Sequence, residues 1–246
     1  MTDTGRMSQE DARAMRERAE GMIRDWTLLG EQAAKVLFEG QWGADSPDWF
    51  DHRLHFLFPD KWLKANFFLC LARVLMRLPP GGKLLDLCSG DGFVDRWFYG
   101  PRAQRVLAVD RSVAALDHAQ RVNGFPTVTY LHCDDLLEER VVKQMPTSEF
   151  DVVVMRGAIE HFKESDQPRV YGLARRAMRD GGWFVGDTCT DLRQGHFHAH
   201  EHVFQSAAEL ECSLKLEFSR VRVETYYEPS MPGGGDRTTF IWEAQA

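Results

Sequence analysis

Lys83-Leu-Leu-Asp-Leu-Cys-Ser-Gly-Asp-Gly92, followed by Arg105-Val-Leu-Ala-Val-Asp110, decides the fold. Leu84, Leu85 and Leu87 form a short apolar run of the kind a parallel strand needs, because helices cover both of its faces. Ser89-Gly90-Asp91-Gly92 can turn sharply, and its glycines let a ligand approach the backbone. Asp110 ends the next apolar run, 18 residues beyond Gly92. A carboxylate there can accept hydrogen bonds from both hydroxyls of a ribose. Strand, glycine turn, helix start, strand and acid together predict a site for an adenosine-type cofactor.

A dinucleotide fingerprint would read G-x-G-x-x-G, with the pyrophosphate at a helix N-terminus. The third glycine is missing, because position 95 is Asp95. Asp86 and Asp91 flank the turn and would repel a pyrophosphate. They suit a cofactor that carries an amine and a sulfonium cation. The segment Asp86-Leu-Cys-Ser-Gly-Asp-Gly92 resembles motif I, D-x-G-x-G-x-G, of the class I S-adenosylmethionine-dependent methyltransferases, with Cys88 in place of the first glycine. The resemblance covers residues 83 to about 243. It implies an α/β fold with a seven-stranded, mostly parallel, doubly wound sheet.

It also implies roles. Asp86, Ser89, Gly90, Asp91 and Gly92 would hold the methionine part of S-adenosylmethionine, and Asp110 the ribose. Arg111 would lie over the adenine ring as a cation–π partner. Asp134, or failing that Asp135, would accept from the adenine amino group, and Arg156 joins the cofactor-binding set.

The alternating pattern continues beyond Asp110. Ser112 can cap a helix over Val113–Val122, and Thr127 to Leu131 reads as a strand. Phe150 to Met155 is an apolar run fit for the sheet centre. Ser165 is a candidate cap for a helix reaching about Met178, with Asp180-Gly-Gly182 ending it before a strand from Trp183 to Asp187. Phe218 to Tyr226 and Thr238 to Glu243 read as a final strand pair joined by the loop Pro229 to Gly235.

Residues 1–80 read as an N-terminal helical cap, and 81–246 as the cofactor-binding domain. Helices are expected from Gln9 to about Ile23, around Trp26 to Phe38, and from Lys61 to Leu78, before Pro79-Pro-Gly-Gly82 breaks the pattern. Trp42, Trp49, Phe50, His52 and His55 are candidates for substrate contact or for plain packing.

The chemistry concentrates after the fourth strand, in Arg156-Gly-Ala-Ile-Glu-His-Phe162. Open α/β sheets bind ligands at this carboxyl edge. Glu160 and His161 are the candidate catalytic pair, His161 taking or orienting the acceptor's proton. Ubiquinone-pathway O-methyltransferases and small-RNA 2′-O-methyltransferases carry E-x-x-E-H after this strand. Here the second acid and the histidine match as Glu160 and His161, while Gly157 replaces the first acid. The stretch Gln194 to Phe204 carries His196, His198, His200 and His202. In the RNA enzymes a later histidine joins a metal site, so Glu160, His161 and His202 are the alternative metal set; no metal is the primary expectation. Asp187 and Arg193 are weaker pocket candidates.

Composition sets outer bounds. The 246 residues are 43% hydrophobic, enough for one large core, and the formal net charge of −7 disfavours a broad nucleic-acid footprint. The five cysteines are scattered without C-x-x-C spacing, which indicates reduced thiols in a cytoplasmic setting. No signal peptide or membrane span is expected. The primary reading is methyl transfer from S-adenosylmethionine to a hydroxyl or amine of a small-molecule acceptor. The alternatives are RNA 2′-O-methylation with a divalent metal, and a non-catalytic S-adenosylmethionine-binding partner protein. A nicotinamide oxidoreductase is disfavoured by the broken fingerprint.

Overall fold

The structure, a computed structural model, describes residues 65–189, 200–228 and 237–245. The helices expected before residue 61, the aromatic and histidine candidates from Trp42 to His55, the loop from Pro229 to Gly235, and Arg193, His196 and His198 lie outside the described residues.

Seven strands form one sheet: β1 (Lys83–Leu87), β2 (Arg105–Asp110), β3 (Val128–His132), β4 (Phe150–Arg156), β5 (Met178–Cys189), β6 (Arg220–Glu228) and β7 (Arg237–Gln245). Their order is β3-β2-β1-β4-β5-β7-β6. The first five run parallel, and β7 pairs antiparallel with both β5 and β6. The helices are α1 (Ala65–Arg77), α2 (Val113–Arg121), α3 (Glu139–Gln144), α4 (Gln167–Ala177) and α5 (Ala207–Leu214). Strand order reverses between β1 and β4, and a doubly wound sheet opens its ligand crevice at such a switch.

The two-residue period of the strands feeds two cores. Leu85 and Leu87 point to one face, where they join Val170 and Leu173 of α4 and Leu210 and Leu214 of α5. Leu84 points to the other, with Val106, Val152, Val154 and Val185. Helix α1 covers that second face with Phe67, Cys70, Leu71 and Val74, spaced at i, i+3, i+4 and i+7, and Leu78 just beyond its end continues the stripe. Burying each large side chain stabilises the fold by roughly 2 kcal/mol relative to exposure.

Helix α1 is also tied to the antiparallel edge. Glu243 of β7 is buried, and its carboxylate accepts from Arg73 Nη1 and Arg77 Nε, both at 2.7 Å. A buried carboxylate is tolerable only with such partners. Arg73 also pairs with Glu224 and Tyr226 of β6, and Arg77 stacks over Trp183 at 3.7 Å.

Two local expectations change. Helix α4 begins at Gln167, so Asp166 and not Ser165 is its N-cap, and Pro168 sits in the first turn where its missing N–H costs nothing. Strand β5 begins at Met178, five residues before Trp183. Asp180-Gly-Gly182 therefore does not end the helix, which has stopped at Ala177. The segment makes an irregularity inside the strand, where the register with β4 shifts and Gly181 takes φ +72°.

Candidate active site

The turn after β1 is built by positive φ angles at Cys88 (62°), Gly90 (64°) and Gly92 (71°). Cys88 adopts the left-handed geometry that the absent glycine would have supplied. For a residue with a Cβ this costs about 1–2 kcal/mol. Burial pushes its thiol pKa well up, reinforced by the carboxylates of Asp110 and Asp86, so the side chain stays protonated. We expect Cys88→Val to lower stability by about 2 kcal/mol, since a β-branched residue is an outlier at this φ. Cys88→Gly should stay within about 1 kcal/mol of the parent. Chemical denaturation of both variants checks this, and equal losses would show that volume rather than strain governs the position.

Asp110 ends β2 and is only 9% exposed. Its Oδ2 accepts from Gly90 N at 2.8 Å and its Oδ1 from Ser112 N at 2.8 Å. One carboxylate thus pins the glycine turn to the start of α2, whose Ser112 cap accepts from Ala115 N at 3.2 Å. Asp91 is buried and engaged locally: its carboxylate accepts from Phe93 N at 3.2 Å and its carbonyl from Asn123 Nδ2 at 2.9 Å. Gly92 has a packing reason of its own, since a Cβ there would overlap the Tyr130 ring. Asp86 is buried at the end of β1.

Four further residues, Arg111, His132, Asp134 and Asp135, lie at or just beyond the ends of β2 and β3. His132 Nε2 lies 3.0 Å from the Arg111 carbonyl and 3.2 Å from Asp134 Oδ1. The Asp134 side chain is 83% exposed, and Asp135 Oδ1 accepts from Leu137 N at 2.8 Å. Asp134 thus presents its carboxylate to solvent, while Asp135 holds the chain turning away from β3.

Arg156, at the end of β4, is largely enclosed. Its Nε is 3.4 Å from Asp187 Oδ1, its Cζ lies 4.4 Å over the Phe67 ring, and its Nη2 donates to the Phe67 carbonyl at 3.3 Å. Asp86, Arg156 and Asp187 share the strand parity of Leu84, Val154 and Val185, so they extend the α1 face of the sheet as a polar margin.

The opposite margin holds the other candidates. Gly157 turns the chain at φ +52°, its N–H donating to the Asp187 carbonyl at 2.8 Å, and a 3-10 turn follows over Ile159–His161. Glu160 is 3% exposed. Its Oε2 accepts from Thr188 Oγ1 at 3.0 Å and its Oε1 from Cys189 Sγ at 3.8 Å. Burial pushes the Glu160 carboxyl up to about 7, Asp187 adding to the effect and the hydrogen bonds from its own backbone, Thr188 and Cys189 opposing it. The Glu160 carbonyl accepts from Glu201 N at 2.8 Å and His202 N at 3.2 Å, which docks the later histidine segment onto the turn. His200 meets His161 edge to face, ring centroids 4.9 Å apart. Burial lowers the His200 pKa to about 4, with His161 adding to the shift, so this imidazole is neutral.

Glu160, His161 and His200 each offer a donor atom within 4.8 Å of the others. The third member is His200 and not His202. The His202 ring turns away to Phe204, at 4.9 Å, and its Nε2 lies 3.7 Å from Glu209 Oε1. Thr188 and Cys189 were not foreseen from sequence. Their placement depends on how far β5 runs beside β4, and only the unbroken Val185-to-Cys189 extension hints at it.

Residues 84–182 match the family model described as a methyltransferase domain. No curated protein sequence matches. Several solved structures share the fold. A phosphoethanolamine N-methyltransferase 2 from Haemonchus contortus, in complex with phosphomonomethylethanolamine and S-adenosylhomocysteine, is 18% identical, with 74% of this chain and 52% of that one covered and a TM-score of 0.56. An S-adenosylmethionine-dependent methyltransferase from Mesorhizobium loti is 16% identical, covering 74% and 99%, TM-score 0.54. The N-methyltransferase NodS from Bradyrhizobium japonicum is 16% identical, covering 75% and 97%, TM-score 0.55. Among the described residues no helix is long and apolar enough to cross a membrane.

Proposed function

We propose that the chain is a class I S-adenosylmethionine-dependent methyltransferase, which its match to a methyltransferase domain over residues 84–182 supports, and that it methylates a hydroxyl or amine of a small-molecule acceptor. The observation that supports this most is the juxtaposition at the switch point. β1, which leads into the glycine turn, pairs directly with β4, which leads into Glu160 and His161, in the register Asp86↔Val154 and Leu87↔Met155. One strand end holds the cofactor candidates and its neighbour holds the groups that handle a proton.

The residues fit the cofactor. Ser89 Oγ is buried with no hydrogen-bond partner among the described residues, as expected of a group awaiting a ligand. Asp86 and the Ser89–Gly92 turn hold the methionine part, with Asp86 taking its ammonium. Asp110 keeps lone pairs for the ribose hydroxyls, since a carboxylate accepts about four hydrogen bonds. Arg111, Asp134 and Asp135 flank the adenine, and Arg156 walls the pocket on the α1 side. S-adenosylmethionine supplies an electrophilic methyl group on a sulfonium centre. The protein's part is to align the acceptor and manage its proton. Glu160 and His161 do so at the carboxyl edge.

The test is incubation of purified protein with radiolabelled S-adenosylmethionine and a cell extract split into small-metabolite and RNA fractions. Label is expected in a metabolite. Label confined to RNA, or none in any fraction, overturns the reading.

A further inference from the structure

We propose that Thr188 is a positioning residue for methyl transfer, acting through Glu160: its hydroxyl fixes the direction of the carboxyl that handles the acceptor's proton. This rests on the proposed function in giving Glu160 that task. Thr188 lies outside the motif that carries Glu160 and His161, on β5, the neighbour of β4 in the sheet. Glu160 projects from the 3-10 turn, and a flexible side chain separates its carboxyl from that backbone. Burial by itself does not choose among the staggered positions of such a chain. Polar partners do.

The partner is close and itself well held. Thr188 Oγ1 donates to Glu160 Oε2 at 3.0 Å, and both residues are buried. Cys189 Sγ approaches Oε1 at 3.8 Å, but a thiol is a weak donor. Thr188 stands opposite Phe240 of β7, and the preceding Asp187 stands between Arg156 of β4 and Ile241 of β7. A group on a paired strand is placed more precisely than one on a loop, so β5 imposes its order on a carboxyl carried by a turn.

A hydroxyl suits this task in a way that an apolar group of similar shape does not. It donates to a carboxylate, and it accepts from a carboxylic acid. In the second case its own hydrogen can turn to the Cys189 carbonyl, 3.4 Å away. The contact therefore outlasts the gain or loss of a proton at Glu160, and the carboxyl keeps its direction. Valine would fill the space and serve neither role, leaving one oxygen of a buried carboxyl without its donor.

The experiment follows label from saturating radiolabelled S-adenosylmethionine into whichever cell-extract fraction the full-length parent labels, with cofactor affinity read by calorimetry. Thr188→Val is expected to slow labelling by about tenfold or more and to leave cofactor affinity within about twofold. Thr188→Ser restores the hydroxyl and should recover about half the parent rate or better. In the Glu160→Gln background, adding Thr188→Val should change the remaining rate by less than about twofold, because the acid it positions is gone. A fold defect alone would slow both backgrounds alike. Equal rates in parent and Thr188→Val overturn the proposal. So do a serine variant as slow as the valine one, a cofactor affinity that falls in step with the rate, and a valine penalty undiminished in Glu160→Gln. A parent that labels no fraction overturns the proposed function and this proposal together, whereas an active parent matched by Thr188→Val overturns this proposal alone.

Discussion

Replacing His161 with alanine is expected to reduce turnover by about a hundredfold or more, with S-adenosylmethionine affinity within about twofold of the parent. The split follows from where the side chain stands. His161 closes the 3-10 turn after β4, and its ring meets His200, across the switch point from the glycine turn. The hydrogen bonds by which Asp110 holds Gly90 N and Ser112 N run without it. Its backbone contribution survives substitution, because the His161 N–H still donates to the Ala158 carbonyl and the Glu160 carbonyl still receives Glu201 and His202. The imidazole manages the acceptor's proton, so the loss falls on the chemical step. Single-turnover kinetics with the labelled acceptor, beside calorimetric titration of the cofactor, reads both quantities. A tenfold or larger fall in cofactor affinity would move His161 out of the acceptor site and make it part of the cofactor pocket.

The fold was more legible than the site, for physical reasons. A parallel strand buried on both faces needs a near-continuous apolar run, so Leu84 to Leu87, interrupted only by Asp86, and Phe150 to Met155, interrupted only by Asp151, announce themselves. Helix α1 does so through its 3.6-residue spacing. Helix α5 lacks that clarity and was not anticipated; the signal it did carry was its cap, where Ser206 Oγ accepts from Glu209 N at 3.1 Å in an S-x-x-E pattern. Strand β5 was read short because Gly181 and Gly182 look like a terminator, whereas here they accommodate a register shift against β4.

The positions of the candidates inside one motif were equally readable. Asp110 lies at the end of its strand because the apolar run before it fixes the register. Residues that meet across the fold were not. Choosing among four alternate histidines requires knowing which backbone N–H reaches the Glu160 carbonyl. Strict alternation puts His200 and His202 on one face, yet only His200 joins His161, because the chain leaves extended geometry as it docks. Nor does a motif reveal that Cys88 adopts glycine's conformation rather than reshaping the turn.

Asp110→Ala is expected to weaken S-adenosylmethionine binding at least tenfold, a loss of about 1.4 kcal/mol or more. Two effects run in the same direction. The ribose loses its acceptor, and the turn that cradles the cofactor loses the group that shapes it. In the parent, Gly90 N and Ser112 N both donate to this carboxylate at 2.8 Å, one from each side of the β1 and β2 ends. Alanine strands both N–H groups near the buried end of the sheet, and an unsatisfied buried donor costs about 1–3 kcal/mol. Water entering the space left by the side chain offsets part of this, so a stability loss of about 2 kcal/mol is expected from denaturant unfolding. Asp110→Asn separates the two effects. Its amide oxygen can replace one of the two backbone contacts, while its NH₂ cannot accept at the other. Asparagine should therefore recover part of the stability and little of the cofactor affinity, since a ribose presenting two hydroxyl donors needs acceptors. If calorimetry finds the alanine variant binding S-adenosylmethionine as the parent does, Asp110 is a fastener of the turn alone and the ribose contact lies elsewhere. If both variants lose stability equally while asparagine keeps full affinity, the carboxylate's charge is irrelevant to the cofactor and its role reduces to shape.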